Sequence, residues 1–337
     1  MIWLTWRQFR VQAAAGSAAL AALAAVLAVT GPGLADDYAS GIAACGTDEA
    51  CEMFARHFFD QHRTSFQAVL AVVLLLPALV GLFWGAPLIT RELEAGTHRL
   101  AWSQSVTRTR WLAVKLGVTG LASMLVAGLA SLAVTWWASP VDRAAGSEFP
   151  RMTPLLFDAR GIVPIGYAAF AFVLGVTVGM LVRRTLPAMA VTVAVFTAVQ
   201  IGMPLLVRPY LLPPTRTTVT VTAGNLDALM ADGPGRPFQM RVEAPDPNAW
   251  ILSNETVDRS GRTVKTVPLY PGTGPCARDK GPETCVAEIG RLGYRQRLVY
   301  HPSSRFWAFQ WLETGLYGVL TAGLGGFCFW WIRRRLS

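Results

Sequence analysis

The stretch Gly85-Ala-Pro-Leu-Ile-Thr-Arg91-Glu92-Leu-Glu94-Ala-Gly96-Thr97 closes one apolar run, and the chain then passes Arg99, Arg108, Arg110 and Lys115 before the next run begins. An apolar run of about 20 residues spans a bilayer, so a charged segment between two such runs lies outside the lipid. Outward from this hinge, apolar runs stand at 12–30 and 67–90 on one side and at 116–138, 161–182, 186–207 and 306–332 on the other. Six such runs predict an integral membrane protein. Composition agrees: 53% of the 337 residues are hydrophobic and 15% charged, against about 25% charged in soluble domains.

The net charge is +9. Its basic residues cluster at the ends of the apolar runs, which points to a membrane and away from nucleic acid. One set of short connections and ends collects Arg7, Arg10, Arg91, Arg99, Arg108, Arg110, Lys115, Arg183, Arg184 and Arg333 to Arg335, twelve in all. The opposite short loops hold five: Arg56, Arg63, Arg143, Arg151 and Arg160. The positive-inside rule therefore expects both termini in the cytoplasm. The thirteen basic residues from Arg208 to Arg305 lie in a segment too long for that rule to count. The first run is alanine-rich, and with Arg7 and Arg10 before it and Gly33-Leu-Ala35 after it, a secretory signal peptide is the competing reading. The run exceeds the roughly 7–15 residues of a signal core, and Trp3 and Trp6 suit interface anchors, so it is read as a span.

Small residues mark where helices approach closely in lipid: Ser123, Ala127 and Ser131 in the third run, Gly175 and Gly179 in the fourth, Gly318, Ala322 and Gly326 in the sixth. They are read as packing within one bundle, with a dimer seam as the alternative. Pro77, Pro87, Pro164 and Pro204 are expected to kink or end helices.

Two regions face the other side of the membrane by this topology. Residues 31–66 form a loop containing Cys45 and Cys51, and 208–305 contain Cys276 and Cys285. An oxidising compartment favours disulfides. Cys45–Cys51 and Cys276–Cys285 are the preferred pairings, and the sequence leaves others open. Cys328 reads as a buried small side chain. Strand-like runs at Thr217–Thr222, Phe238–Glu243, Trp250–Val257 and Arg262–Leu269, with a Ser260-Gly261 turn, predict a small β-rich domain between spans five and six. Asn254-Glu255-Thr256 matches a glycosylation sequon, a motif short enough to arise by chance.

The sequence holds no phosphate-binding Gly-x-x-x-x-Gly-Lys-Ser/Thr loop and no metal-ligand spacing. His57 and His62, five apart, would not share a helix face and read as ordinary loop residues. Gln200 in the fifth span is a candidate pathway residue or a simple hydrogen-bonding partner. Glu313 in the sixth is a functional candidate because it is an intramembrane carboxylate, and its competing reading is an ion pair with Arg305 or Arg208.

Several segments together resemble the type-2 ABC exporter permeases of bacteria. They are Arg91-Glu92-x-Glu94-x-Gly96-Thr97, Gln104-Ser-Val-Thr-Arg108 and Trp111-x-x-x-Lys115, then Pro302-x-x-Arg305-Phe306-Trp307-x-Phe309-Gln310-Trp311-x-Glu313 and the closing Trp330-Trp331-Ile332-Arg333-Arg334-Arg335, and the opening Trp3-Leu-Thr-Trp6-Arg7-Gln8. The resemblance covers nearly the whole chain and is weakest in the two outer regions. It implies an all-α polytopic membrane protein, a six-transmembrane-helix bundle with a β-rich extracytoplasmic domain between helices five and six. In that plan residues 1–11 form an amphipathic interfacial helix, 12–207 the first five spans, 208–305 the outer domain, and 306–337 the sixth span and basic tail. Segment 91–115 would be the coupling helix, with Arg91, Glu92, Glu94, Gly96, Thr97 and Arg108 contacting a separate ATP-binding subunit. Gly96 would permit a sharp turn. The chain would be a non-catalytic permease in the bacterial plasma membrane, without a cofactor of its own, ATP and Mg residing on the partner. A second permease chain, identical or not, would complete the path, and the resemblance favours export. The competing classes are a membrane-anchored extracytoplasmic sensor or scaffold, a secondary transporter, which would need inverted repeats and a midplane ion site, and an intramembrane enzyme, which would need paired catalytic groups.

Overall fold

The computed structural model describes residues 2–96, 107–146, 149–231, 233, 235–277 and 279–334. The chain divides into two compact units. One comprises 1–145, 154–208 and 307–337, and the other 146–153 and 209–306.

The first unit is helical. Its elements are α1 (Ile2–Ala44), α2 (Asp48–Val80), α3 (Ala86–Glu94), α4 (Arg108–Ala145), α5 (Pro154–Asp158), α6 (Val163–Val182), α7 (Thr185–Gly202) and α9 (Phe306–Arg334). The helices are longer than the apolar runs read from sequence. Segment 31–66, expected as a loop, is helical apart from the short turn between α1 and α2. The local reason is visible at α2: Thr47 is an extended N-cap whose hydroxyl accepts from the Ala50 N–H at 3.3 Å, and Asp48 and Glu49 meet the positive end of the helix dipole. The Cys45–Cys51 disulfide closes this turn. Of residues 1–11, read as a separate interfacial helix, the described ones from Ile2 onward are continuous with the first span in α1.

α6 is the centre of the unit. A π-helical turn, Gly81–Gly85, joins α2 to α3 after Pro77 and just before Pro87. It places Gly81 and Gly85 against Gly175 of α6, while Gly179 meets Ala86 and Thr90 of α3. A methyl group at Gly175 would lie 2.5 Å from the Gly81 carbonyl oxygen, and one at Gly85 would lie 2.5 Å from that of Phe172. Only hydrogen at these positions permits the backbones to meet, which is how helices associate where lipid supplies no hydrophobic drive. The Gly175/Gly179 motif is thus used inside the chain. Gly318 and Gly326 on α9 have open space beside them. Around the crossing pack Val80, Trp84, Ile89, Leu112, Phe172 and Val176. Pro164 opens α6 and Pro204 lies in a second π-helical turn, Met203–Val207. α6 ends at Arg183, whose left-handed φ of 58° turns the chain toward α7.

The second unit holds β1 (Thr215–Thr220), β2 (Leu226–Ala231), β3 (Phe238–Val242), β4 (Trp250–Val257), β5 (Thr263–Val264), the helix α8 (Gly281–Arg291) and β6 (Arg295–His301). A four-stranded antiparallel sheet runs β1-β6-β4-β5, and β2 pairs with β3 in a separate ribbon. The expected Ser260-Gly261 turn joins β4 to β5, with Gly261 at φ 83° and Thr256 opposite Val264. The Asp258 carboxylate organises this turn. It accepts hydrogen bonds from the Ser260 hydroxyl and the Arg262 N–H, which hold its pKa down at about 2. Val242, Val267, Ile289 and Leu298 form the core, and the Cys276–Cys285 disulfide ties α8 to the preceding loop. Asn254 of the sequon spends its amide inside the fold: it donates to the Val242 carbonyl at 2.7 Å and accepts from Gln296 at 2.7 Å.

Candidate functional site

Two polar constellations are built into the helical unit. The first surrounds the end of α3. Gly96, at φ 67°, stops the helix in the left-handed conformation usual for a C-terminal cap. Two carboxylates one turn earlier reach different helices. Glu92 accepts from the Lys115 Nζ at 2.5 Å, and Lys115 itself is buried on α4 with its Nζ 4.9 Å from the Trp111 ring. A buried ammonium demands a counter-charge, so this pair is fixed in place. Glu94 accepts from the Thr185 N–H at 3.0 Å and the Thr185 hydroxyl at 2.6 Å. It thereby caps the start of α7 where the exposed N–H groups favour an anion. The end of the second span is therefore clamped to the third and the fifth.

Glu92 and Glu94, which the sequence reading assigns to basic groups of a partner, have these partners within the chain. Residues 91–115 are not one element: Arg91–Glu94 end α3, and Arg108–Lys115 begin α4. Thr97 lies outside the described residues. Arg91 is exposed and borders a groove of about 870 Å³, whose polar members are Gln12, Arg91 and Thr185 and whose apolar walls include Leu20, Leu76 and Trp84.

The second constellation is fully buried. Glu313 of α9 accepts from Arg208 at both oxygens, 2.7 Å from Nε and 2.8 Å from Nη2. The same Nη2 also donates to Asp158 at the end of α5, and the guanidinium lies 4.4 Å from the Phe157 ring centroid. The Tyr167 hydroxyl of α6 stands 2.5 Å from Glu313 Oε1 and 2.9 Å from Asp158 Oδ1. Tyr317 packs edge-on against Tyr167 and donates to Gln200 at 3.3 Å. One turn before Glu313, the Gln310 side-chain oxygen accepts from the N–H groups of Ile162 and Val163 and so caps the start of α6. Three helices, α5, α6 and α9, meet here on one arginine.

Of the sequence-level alternatives for Glu313, the structure forms the pair with Arg208; Arg305 instead donates to the Pro213 carbonyl at 2.6 Å. Gln200 and Glu313 are both engaged in hydrogen bonds, and neither borders the groove beside Arg91. The sequence reading missed Asp158, Tyr167 and Thr185. Asp158 and Thr185 sit at helix ends beside the spans, and Tyr167 reads as one more aromatic residue in an apolar run. The usable signal was the charge itself: a carboxylate at membrane depth needs a donor set. Cys328 is buried on α9 beside the Thr177 hydroxyl, at 3.2 Å. Among the described residues no group of histidine, cysteine and acidic side chains could hold a metal ion.

Among the described residues, six helices are long and apolar enough to cross a membrane, which defines a multi-pass membrane protein. Within that class, the family model described as "ABC-2 membrane transporter related" matches residues 17–208, more than half of the chain. The chain belongs to this family and is a transporter permease by that membership. The match takes in the first five spans and the clamp at α3. The last span, though part of the sequence resemblance, lies beyond it. No curated protein and no solved structure matches the chain.

Proposed function

We propose that the chain is the permease subunit of an ATP-driven exporter in a bacterial plasma membrane, with both termini cytoplasmic and the β-rich unit outside. It pairs with a second permease chain and with a separate ATP-binding subunit that carries ATP and Mg. The observation that carries this reading is the clamp at the end of α3. Glu92 ties that end to α4 through Lys115, and Glu94 ties it to α7 through Thr185. A partner pressing on the turn at Gly96 moves the second, third and fifth spans together, so the clamp converts a local push into a rearrangement of the bundle. The placement of both disulfides supports the topology: Cys45–Cys51 lies between spans one and two and Cys276–Cys285 between five and six, connections that share one side of a six-span chain. The exposed Arg91 remains for the partner's acidic groups, in place of the two carboxylates.

The test is co-purification with candidate ATP-binding subunits, followed by ATPase and transport assays on wild type and Glu92→Ala/Glu94→Ala. ATPase activity that accompanies the wild type and loses its coupling to transport in the variant is expected. If no ATPase accompanies the chain with any partner, the reading fails, and a membrane-anchored sensor using the β-rich unit takes its place.

A further inference from the structure

We propose that Asp158, Tyr167, Arg208 and Glu313 bind one proton, held between the two carboxyl groups, so that the buried set carries no net charge. The argument is a count of hydrogens. The Tyr167 oxygen is within hydrogen-bonding distance of Glu313 Oε1, at 2.5 Å, and of Asp158 Oδ1, at 2.9 Å. A phenol has one hydrogen to donate. With both acids ionised, one of those two contacts would set oxygen lone pairs against a negative charge with nothing between them. Arg208 cannot supply the missing hydrogen, because its Nη2, 3.2 Å from the phenol oxygen, already faces Asp158 Oδ1 and Glu313 Oε1, and its Nε faces Glu313 Oε2.

The charges give the same answer. One guanidinium against two carboxylates leaves an uncompensated negative charge in a buried site, and two close carboxylates do not both ionise readily. From the elements packed around the set, Tyr317 of α9 gives its hydroxyl hydrogen to Gln200, and Arg160, beyond α5, is matched by Asp142 of α4 at 3.1 Å. One bound proton supplies a hydrogen to both phenol–carboxyl contacts. Glu313, held at both oxygens by Arg208, is the carboxylate. Asp158 is the acid and donates its O–H to the Tyr167 oxygen, while Tyr167 donates its own O–H to Glu313. Passing the proton onward breaks the Asp158 O–H bond as Tyr167 takes that hydrogen and releases its own to Glu313. The set therefore stores a proton and also conducts it from one acid to the other.

The test is infrared spectroscopy of the full chain in lipid nanodiscs at neutral pH, with aspartate carbon-13 labelled at the side-chain carboxyl. A protonated-acid C=O band that shifts with the label and disappears in Asp158→Asn is expected, and in Tyr167→Phe the band moves because its hydrogen-bond acceptor is gone. The absence of any label-sensitive acid band in the wild type overturns the proposal, whatever the variants do. A band that survives Asp158→Asn, or that ignores Tyr167→Phe, overturns it as well.

Discussion

α1 and α6 are almost equally apolar, with mean hydropathies of 2.0 and 2.1 in their most apolar stretches, yet 6% of the residues in that stretch of α1 are buried against 78% in α6. In water this contrast would be unstable, because an apolar helix left outside the core would carry a large solvation cost. In lipid the tails are as apolar as leucine, and hydropathy says only that a helix crosses. What separates the two helices is shape and polarity. α6 has glycines where the backbones of α2 and α3 approach, and a phenol that joins a buried ion cluster. On α1 the glycines Gly16, Gly31 and Gly41 meet aromatic side chains instead of backbone, and the end of the helix is tied to α2 by a disulfide.

The contrast can be broken most severely at the ion cluster that α6 shares. Arg208→Ala leaves Asp158 and Glu313 without their cation, and removing one partner of a buried pair costs about 3–5 kcal/mol. Thermal unfolding in detergent is expected to fall sharply. On α1 the strongest single effect is expected from the covalent tie: Cys51→Ser, which opens a six-residue separation, costs about 2–3 kcal/mol by loop entropy, and protease sensitivity at the α1–α2 turn reads it. A matched pair then sharpens the comparison. Gly175→Ala forces a methyl against the Gly81 carbonyl oxygen and costs about 1–3 kcal/mol as overpacking. Gly33→Ala, with open space around it on α1, gains up to about 1 kcal/mol from helix propensity. The same substitution with opposite signs in one unfolding assay is the expected result, and equal signs would refute the account given of the two helices.

The smallest effect lies outside both helices. Asp258 titrates near 2 in the folded chain, below an unperturbed value of about 3.9. Its depressed value stabilises the β4–β5 turn fully above the unfolded value, and that contribution is lost as pH falls through the folded one. The protection factor of the Arg262 amide, its exchange rate relative to the intrinsic rate at the same pH, is expected to be high at pH 5 and to fall toward pH 2, while both spans remain protected.

Much of this architecture is legible in the residues. The six apolar stretches follow from length and composition, and the strand at Trp250–Val257 falls where the sequence reading puts it. The misses are instructive. β2 reads Leu-Asp-Ala-Leu-Met-Ala, without a β-branched residue, and β6 begins Arg-Gln-Arg; both are strands because tertiary pairing overrides weak local preference. α8 opens with Gly-Pro and escaped notice for the same reason. At the candidate sites the sequence supplied Glu92, Glu94 and Glu313 as charges needing partners, but no spacing announces that Thr185 lies 91 residues from Glu94 or that Arg208 lies 105 from Glu313.

By itself, the sequence determined that the chain holds six stretches apolar and long enough to cross a membrane, where its charged hinge stands, and which family it joins, because apolar length and local motifs are properties of contiguous residues. Only the tertiary structure decided which span is central, which glycines serve as contact points, and that two carboxyl groups, a phenol and one guanidinium share a single buried site. Lipid makes all apolar faces equivalent in solvation, so those choices rest on close packing and on the pairing of a few polar atoms distant in the chain.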